Sequence, residues 1–217
     1  MRLVLVRHGQ TASNLVHALD TAAPGAALTD LGRRQAAELV DDLAGERIDV
    51  LAASPLLRAQ QTAAPLAAAR ELPVRTLDGF REIGAGDLEM HTGAEAGTRY
   101  LEVAFSWADG AAPDRLPGGP VGAAVLGAFD AAVATLEAVA GTAVAVSHGA
   151  MIRTWLAARA ADVTVEDVRS RPLANTGVVT LEGSTADGWQ LLSWRERSST
   201  EQPLTGTHDA GGAPLPE

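Results

Sequence analysis

Leu3-Val4-Leu5-Val6 is an unbroken apolar run that stops abruptly at Arg7-His8-Gly9, with Gln10-Thr11-Ala12-Ser13-Asn14 following. A short apolar run ended by a polar turn describes a strand buried on both faces, the kind found in parallel sheets. The same idea recurs late in the chain, where Thr142-Ala143-Val144-Ala145-Val146 leads into Ser147-His148-Gly149. Two buried strands that each end in His-Gly bring two imidazoles to one sheet edge. Arg7 beside them would make a pocket for a dianion such as a phosphoryl group.

Helical patterns alternate with these strands. Thr29-Asp30 is a polar cap before a helix over Leu31 to Val40, with apolar spacings of three and four. Asp49 to Ala53 reads as a second strand, and Ser54-Pro55 as the cap and first position of the next helix. Pro65 is expected to kink or end that helix. Val74 to Leu77 is a third strand, Gly122 to Ala140 an Ala-rich helix, and Ala150 to Ala161 another. Thr176 to Leu181 and Trp189 to Trp194 form an antiparallel pair turned near Asp187-Gly188.

This order specifies an α/β fold: a mostly parallel open sheet with helices on both faces. One domain over residues 1–217 is expected. Residues 84–120, rich in Gly and Pro and without clear periodicity, read as an inserted lid, and the tail from about residue 198 as a flexible terminus. Ligands of such sheets bind beyond the carboxyl ends of the strands. His8, His148 and Glu82 follow strand ends. Arg58 lies in the first turn of the helix after strand two, where side chains lean back toward the same edge.

Composition narrows the chemistry. No cysteine is present, which excludes disulfides, zinc-thiolate sites and a thiolate nucleophile. All 17 basic residues are Arg, which excludes Schiff-base chemistry and a P-loop lysine. The net charge of -10 argues against nucleic acid or an anionic membrane surface as partner. No apolar run is long enough to cross a bilayer, and the chain opens on its first strand without room for a signal peptide. A cytoplasmic protein is the expectation. Nothing in the sequence fixes an oligomeric state.

Four fragments taken together resemble the histidine phosphatase superfamily, in its phosphoglycerate-mutase-like branch. They are Arg7-His8-Gly9 with Thr11 and Asn14; Ser54-Pro55-Leu56 with Arg58-Ala59 and Thr62-Ala63; Glu82 with Gly86 and Glu89; and Ser147-His148-Gly149. The segment Leu28-Thr29, Leu31-Gly32, Gln35-Ala36 is similar to the family as well. The resemblance runs from about residue 2 to 182 and implies the α/β sheet read above.

The resemblance implies roles. His8 attacks phosphorus and forms a phosphohistidine, which needs a neutral imidazole with a fixed tautomer. Arg7 and Arg58 grip the non-bridging oxygens, and Thr11, Asn14 and the Gly149 end of the last motif add to the phosphate site. His148 donates as charge spreads in the transition state. Glu82 protonates the leaving oxygen and then takes a proton from the hydrolytic water. Asp87 and Glu89 are alternative proton donors, Glu82 being favoured by its spacing. No metal and no cofactor are implied.

Departures from the family pattern separate hydrolysis from isomerisation. The acid site reads Glu82-Ile83-Gly84-Ala85-Gly86, without the Arg and Tyr typical of the mutases, and Ser13 stands where mutases tend to carry Trp. Gly118-Gly119-Pro120-Val121 and Met90 also depart from the usual residues. Only Arg99 and Arg115 offer cations in the lid. The reading is therefore a metal-independent phosphomonoesterase acting on a small phosphorylated metabolite. A cofactor-dependent phosphoglycerate mutase and a non-catalytic phospho-ligand binding module are the alternatives. Tyr100, Phe105 and Trp107 hint at an uncharged or partly apolar substrate group. His17, His91 and His208 read as surface or structural residues, Trp155 and Trp194 as core.

Overall fold

Alternation along the first strand decides the layering. β1 (Arg2–Arg7) points Leu3 and Leu5 to one face and Val4 and Val6 to the other, and both sets are fully buried. Full burial of each such side chain contributes roughly 1.5–3 kcal/mol, so the strand is stable only with helices on both sides. The computed structural model, which describes residues 1–110 and 115–195, supplies them.

After the four-residue helix α1 (Ala12–Leu15), α2 (Asp30–Asp42) and α3 (Leu57–Arg70) cover the Val4/Val6 face through Leu39, Ala59, Ala63 and Leu66. β2 (Val50–Ala53) runs between them and β3 (Val74–Thr76) follows. The Leu3/Leu5 face carries α4 (Ala94–Ser106), α5 (Gly122–Glu137), α6 (Gly149–Arg159) and α7 (Val165–Ser170). β4 (Thr142–Ser147) precedes α6, and β5 (Val178–Ser184) and β6 (Gly188–Arg195) end the described chain.

The sheet order is β3-β2-β4-β1-β5-β6. The first four strands of that order are mutually parallel, while β5 is antiparallel to both β1 and β6. The chain leaves β1 toward β2 and leaves β4 toward β5, in opposite directions. The crevice at their carboxyl ends is therefore a topological switch point. Register fixes what stands there: Arg7 pairs with Ser147, and His8 N donates to Ser147 O at 3.0 Å.

Three local expectations are corrected. The helix after β2 begins at Leu57 with Leu56 at the N-cap, whose side chain has no polar atom, while the Ser54 hydroxyl two residues earlier accepts from Leu56 N and faces His148. Pro65 lies inside α3 without ending it. Packing of Ala63 and Leu66 onto the sheet outweighs the one backbone bond that a proline forfeits. Residues 84–120 contain the helix α4, which buries Tyr100, Leu101, Val103, Ala104 and Phe105 in the core. Its apolar face was hidden in the sequence by the flanking Gly and Pro. The tail from about residue 198, with His208, lies outside the described residues. Trp155 is fully buried and Trp194 packs half-buried against the same core.

Candidate active site

The turn after β1 is shaped by a close approach of two backbones. A Cβ on Gly9 would come within 2.6 Å of Gly32 O in the first turn of α2, so no side chain fits there. Gly9 N donates to Thr62 Oγ1 at 2.9 Å, which ties the turn to α3. With the turn pinned, the His8 ring has little choice of direction.

His8 Nδ1 lies 2.7 Å from Gly9 O, and Arg58 Nε donates to His8 Nε2 at 3.1 Å. A guanidinium only donates, so Nε2 accepts through its lone pair and Nδ1 carries the hydrogen, bonded to the carbonyl. Burial, then the charges of Arg58 and Arg7, hold the His8 imidazolium well below the usual histidine range, against the raising effect of the Gly9 carbonyl. The ring is thus neutral at physiological pH, with a defined tautomer.

His148 stands beside it, ring centroids 5.2 Å apart and planes tilted by 58°. Burial and the Arg58 charge likewise keep His148 neutral. Its Nε2 is 2.8 Å from Ser54 Oγ, and Ser54 Oγ already accepts from Leu56 N at 3.3 Å. We assign the hydroxyl hydrogen to Nε2, the acceptor within its reach, and hence the His148 hydrogen to Nδ1. That Nδ1 is buried with no hydrogen-bond partner, a costly state for a polar atom unless a ligand completes it.

The His8 ring lines a cleft together with Arg7, Thr11, Ser13, Asn14, Asp20, Arg58, Glu82 and Tyr100 among others. Arg7 Nη1 is anchored on Leu173 O at 2.6 Å. Arg58 Nη2 bonds Asp20 O at 2.9 Å, while its buried Nη1 has no hydrogen-bond partner. Thr11 caps α1 by accepting from Asn14 N, which leaves its hydroxyl hydrogen to donate. Asn14 Oδ1 accepts from Thr11 N at 3.0 Å and Asn175 Nδ2 at 3.2 Å, so its amide nitrogen is the group left for the cleft. Gly149 is the first residue of α6, next to His148 at the N-cap.

Glu82 sits against that same helix end. Its Oε1 accepts from Ile83 N and Met151 N, both at 2.9 Å, and its Oε2 from Ala150 N at 3.4 Å. These bonds and Arg58 favour the carboxylate, yet desolvation outweighs them and pushes the Glu82 carboxyl above the usual range. A half-buried acid with a raised proton affinity, lining a cleft, is suited to hold and release a proton.

The structure brings together Arg7, His8, Thr11, Asn14, Arg58 and Glu82 on one cleft; His148 packs behind it against the His8 ring, and neither His148 nor Gly149 is among the lining residues. Of the three carboxyl candidates, Asp87 and Glu89 do not line it. Asp87 bonds Pro117 O through its backbone, and Glu89 accepts from Thr21 N and Ala22 N at 2.8 and 2.9 Å and from the Thr21 hydroxyl. The apolar hint is corrected too. Phe105 lies in the core under Arg153, whose guanidinium is 4.9 Å from its ring centroid, and Trp107 packs beside Gly122. Only Tyr100 reaches the cleft, with its hydroxyl bonded to Ile83 O at 2.8 Å.

Sequence reasoning missed Ser54, read as a helix cap, and Asn175, whose Nδ2 also bonds His8 O at 3.1 Å. Asn175 precedes β5, and nothing local signals that an antiparallel strand would carry it to His8. Asp20 gave no signal either. Among the described residues, no group of three or more His, Asp or Glu side chains is arranged to hold a metal, and no helix is long and apolar enough to cross a membrane.

Residues 3–197 match the sequence model of the histidine phosphatase superfamily, branch 1. A PE-PGRS family protein of Mycobacterium tuberculosis is 34% identical over 206 residues, 87% of this chain and 35% of that protein. The adenosylcobalamin/alpha-ribazole phosphatase of Escherichia coli is 40% identical over 90 residues, 42% of this chain and 44% of that one. The chain thus spans less than half the length of these curated relatives in the matched regions. Among solved structures, a mycobacterial glucosyl-3-phosphoglycerate phosphatase complexed with VO3 superposes with a TM-score of 0.75 at 27% identity, covering 90% of this chain and 99% of that one. A phosphoserine phosphatase from Entamoeba histolytica in complex with 3-phosphoglyceric acid gives 0.70 at 26% identity, covering 91% and 98%.

Proposed function

The chain belongs to the histidine phosphatase superfamily, branch 1, and from that premise we propose that it is a metal-independent phosphomonoesterase acting through a phosphohistidine on His8. The observation that carries this reading is the neutral His8 ring whose Nε2 lone pair stands beside two guanidinium groups at a cleft.

In the first step the Nε2 lone pair forms a bond to phosphorus as the P–O ester bond breaks. The departing oxygen takes the Glu82 proton. Arg7, Arg58, Thr11, Asn14 and the His148 Nδ1–H bind the non-bridging oxygens, where charge grows in the transition state. In the second step water attacks phosphorus, the P–N bond breaks, and Glu82 takes the water's proton. Phosphate leaves and His8 is again neutral. All the charge stabilisation is supplied by side chains already present, which is the basis for metal independence.

The substrate class is a small phosphorylated metabolite. The relatives' names (glucosyl-3-phosphoglycerate, phosphoserine and alpha-ribazole phosphatases) share that class, the first two naming phosphate esters of three-carbon acids and the third an ester of a different skeleton. Residues 84–120 act as its cover, contributing Tyr100 to the cleft. We place the reaction in the cytoplasm, where charged metabolites are retained by the cost of moving ions through a bilayer.

The test is turnover of p-nitrophenyl phosphate with and without chelator, together with alkaline-quench capture of a labelled protein from a radiolabelled phosphoester. Label on the wild type, none on His8→Ala, and indifference to chelator are expected. Turnover retained in His8→Ala would remove the reading. Conversion of 3- to 2-phosphoglycerate faster than phosphate release would replace it by a mutase.

A further inference from the structure

One charged group in the cleft wall takes no part in the chemistry above. Asp20 lines the cleft together with Arg7, His8 and Arg58. Its Oδ2 accepts from Ser13 Oγ at 2.7 Å and from Ala26 N at 2.9 Å. Its Oδ1 lies 3.9 Å from Arg58 Nη1, an ion-pair separation too long for a hydrogen bond, and the side chain keeps 11% of its exposure. One oxygen is therefore locked in place while the other retains lone pairs for a ligand.

The loop bearing Asp20 is held rigidly. Glu89 fastens Thr21 and Ala22 through three hydrogen bonds, and Ala85 N donates to Thr21 Oγ1 at 3.0 Å. Leu19 exchanges backbone bonds with Met90 and His91, each at 3.0 Å. The loop also closes over the guanidinium: at Gly25, with φ of 71°, a Cβ would come within 2.4 Å of Arg58 Nη1. Arg58 spans the interval from His8 Nε2 to Asp20 Oδ1. The free carboxylate oxygen thus lies one guanidinium away from the nucleophile, in the wall of the same cleft.

A carboxylate in the wall of an anion-binding cleft opposes the binding of anions. It becomes favourable only when the ligand brings a donor or a positive charge to it. We propose that Asp20 is a specificity-determining residue: Oδ1 forms a negative, hydrogen-bond-accepting subsite that takes a hydroxyl or ammonium group on the short carbon chain beyond the phosphate ester and turns away a carboxylate on that chain. This rests on the phosphatase reading and narrows its substrate class to phosphorylated polyols, sugars or amines without an acid group on that chain.

Two nearly isosteric esters test it. Glycerol 3-phosphate and 3-phosphoglycerate differ by a hydroxymethyl group against a carboxylate. The wild-type ratio of their kcat/KM values is expected to favour glycerol 3-phosphate by about tenfold or more. Phosphoethanolamine should likewise be preferred over 3-phosphoglycerate. In Asp20→Asn the ratio should fall about tenfold toward unity, whatever happens to the absolute rates, and Asp20→Ser serves if the Asn variant does not fold. Wild-type preference for 3-phosphoglycerate, or a ratio unmoved by the substitution, would overturn the inference while p-nitrophenyl phosphate hydrolysis keeps the phosphatase reading intact. Absence of that hydrolysis in the wild type would remove both.

Discussion

Arg58 Nε donates to His8 Nε2 at 3.1 Å, so the proposed nucleophilic lone pair is held by a guanidinium. The contact has two effects. It keeps a proton off Nε2, because a donor faces it, and it places the fork of Arg58 where the transferred phosphoryl group would be. The lone pair must exchange this partner for phosphorus as a substrate enters.

Arg58→Lys tests whether that fork matters or only its charge. A lysine ammonium is a point charge that cannot face His8 and Asp20 O together with a planar fork. A loss of about 10²–10³ in kcat/KM is expected, comparable to removal of one oriented donor from an anion hole. Steady-state kinetics with p-nitrophenyl phosphate decide this. A Lys variant within about threefold of wild type would mean that the bonds to His8 and the loop contribute little.

Glu82→Gln should separate the two chemical steps. Glutamine keeps much of the shape against the α6 terminus but has no proton to move. Hydrolysis of an alkyl phosphate is expected to drop by about 10²–10⁴, the usual contribution of a positioned acid or base. p-Nitrophenolate leaves without protonation, so that ester should still phosphorylate His8, and rapid mixing should record a burst followed by slow turnover. Burial raises the Glu82 carboxyl, so the wild-type rate should decline on the alkaline side as that proton is lost, and the Gln variant should lack this limb. A linear time course with no burst would assign the proton transfer elsewhere.

Much of this site was legible in the sequence because its residues follow strand ends, and strand ends in a parallel sheet converge. Arg7, His8 and His148 are placed by the β1–β4 register alone. Arg58 and Glu82 follow from one helix start and one loop. The unread part consists of residues that act across topology. Asn175 reaches His8 only because β5 runs antiparallel beside β1. Ser54 looked like a helix cap because its contact with His148 spans distant stretches of chain. Helix α4 was missed because Gly and Pro on either side masked its apolar face, although five of its side chains are buried.

Ser54→Ala follows from that missed contact. The hydroxyl assigns the His148 hydrogen to Nδ1, the buried atom that awaits a partner. Without it, Nε2 is left unbonded and the two tautomers become closer in energy. About tenfold lower kcat/KM is expected, with a stability loss of about 1 kcal/mol for the bond removed. Nitrogen-15 shifts of the imidazole should report an Nδ1–H tautomer in the wild type and a mixture in the variant. An unchanged tautomer would mean that the ring is set by packing alone.

Stability should depend on pH through the histidine pair. In the native state burial depresses both His8 and His148, so both stay neutral where unfolded histidines, with a pKa of about 6.5, begin to take up protons. The unfolded chain then binds more protons, and stability is lost as pH falls below about 6.5. Each histidine contributes a limiting slope of about 1.4 kcal/mol per pH unit in that window. Glu82 acts with the opposite sign: its raised carboxyl binds a proton in the native state first, so its effect favours the folded protein as pH falls toward the range of ordinary carboxylates. Two histidines against one carboxyl leave a net decline. Calorimetry between pH 7.5 and 5.5 should show a falling Tm, and His148→Gln should show a shallower fall. A flat profile in the wild type would mean that at least one of the two rings takes up a proton within the folded protein, which would contradict the neutral pair on which the proposed attack depends.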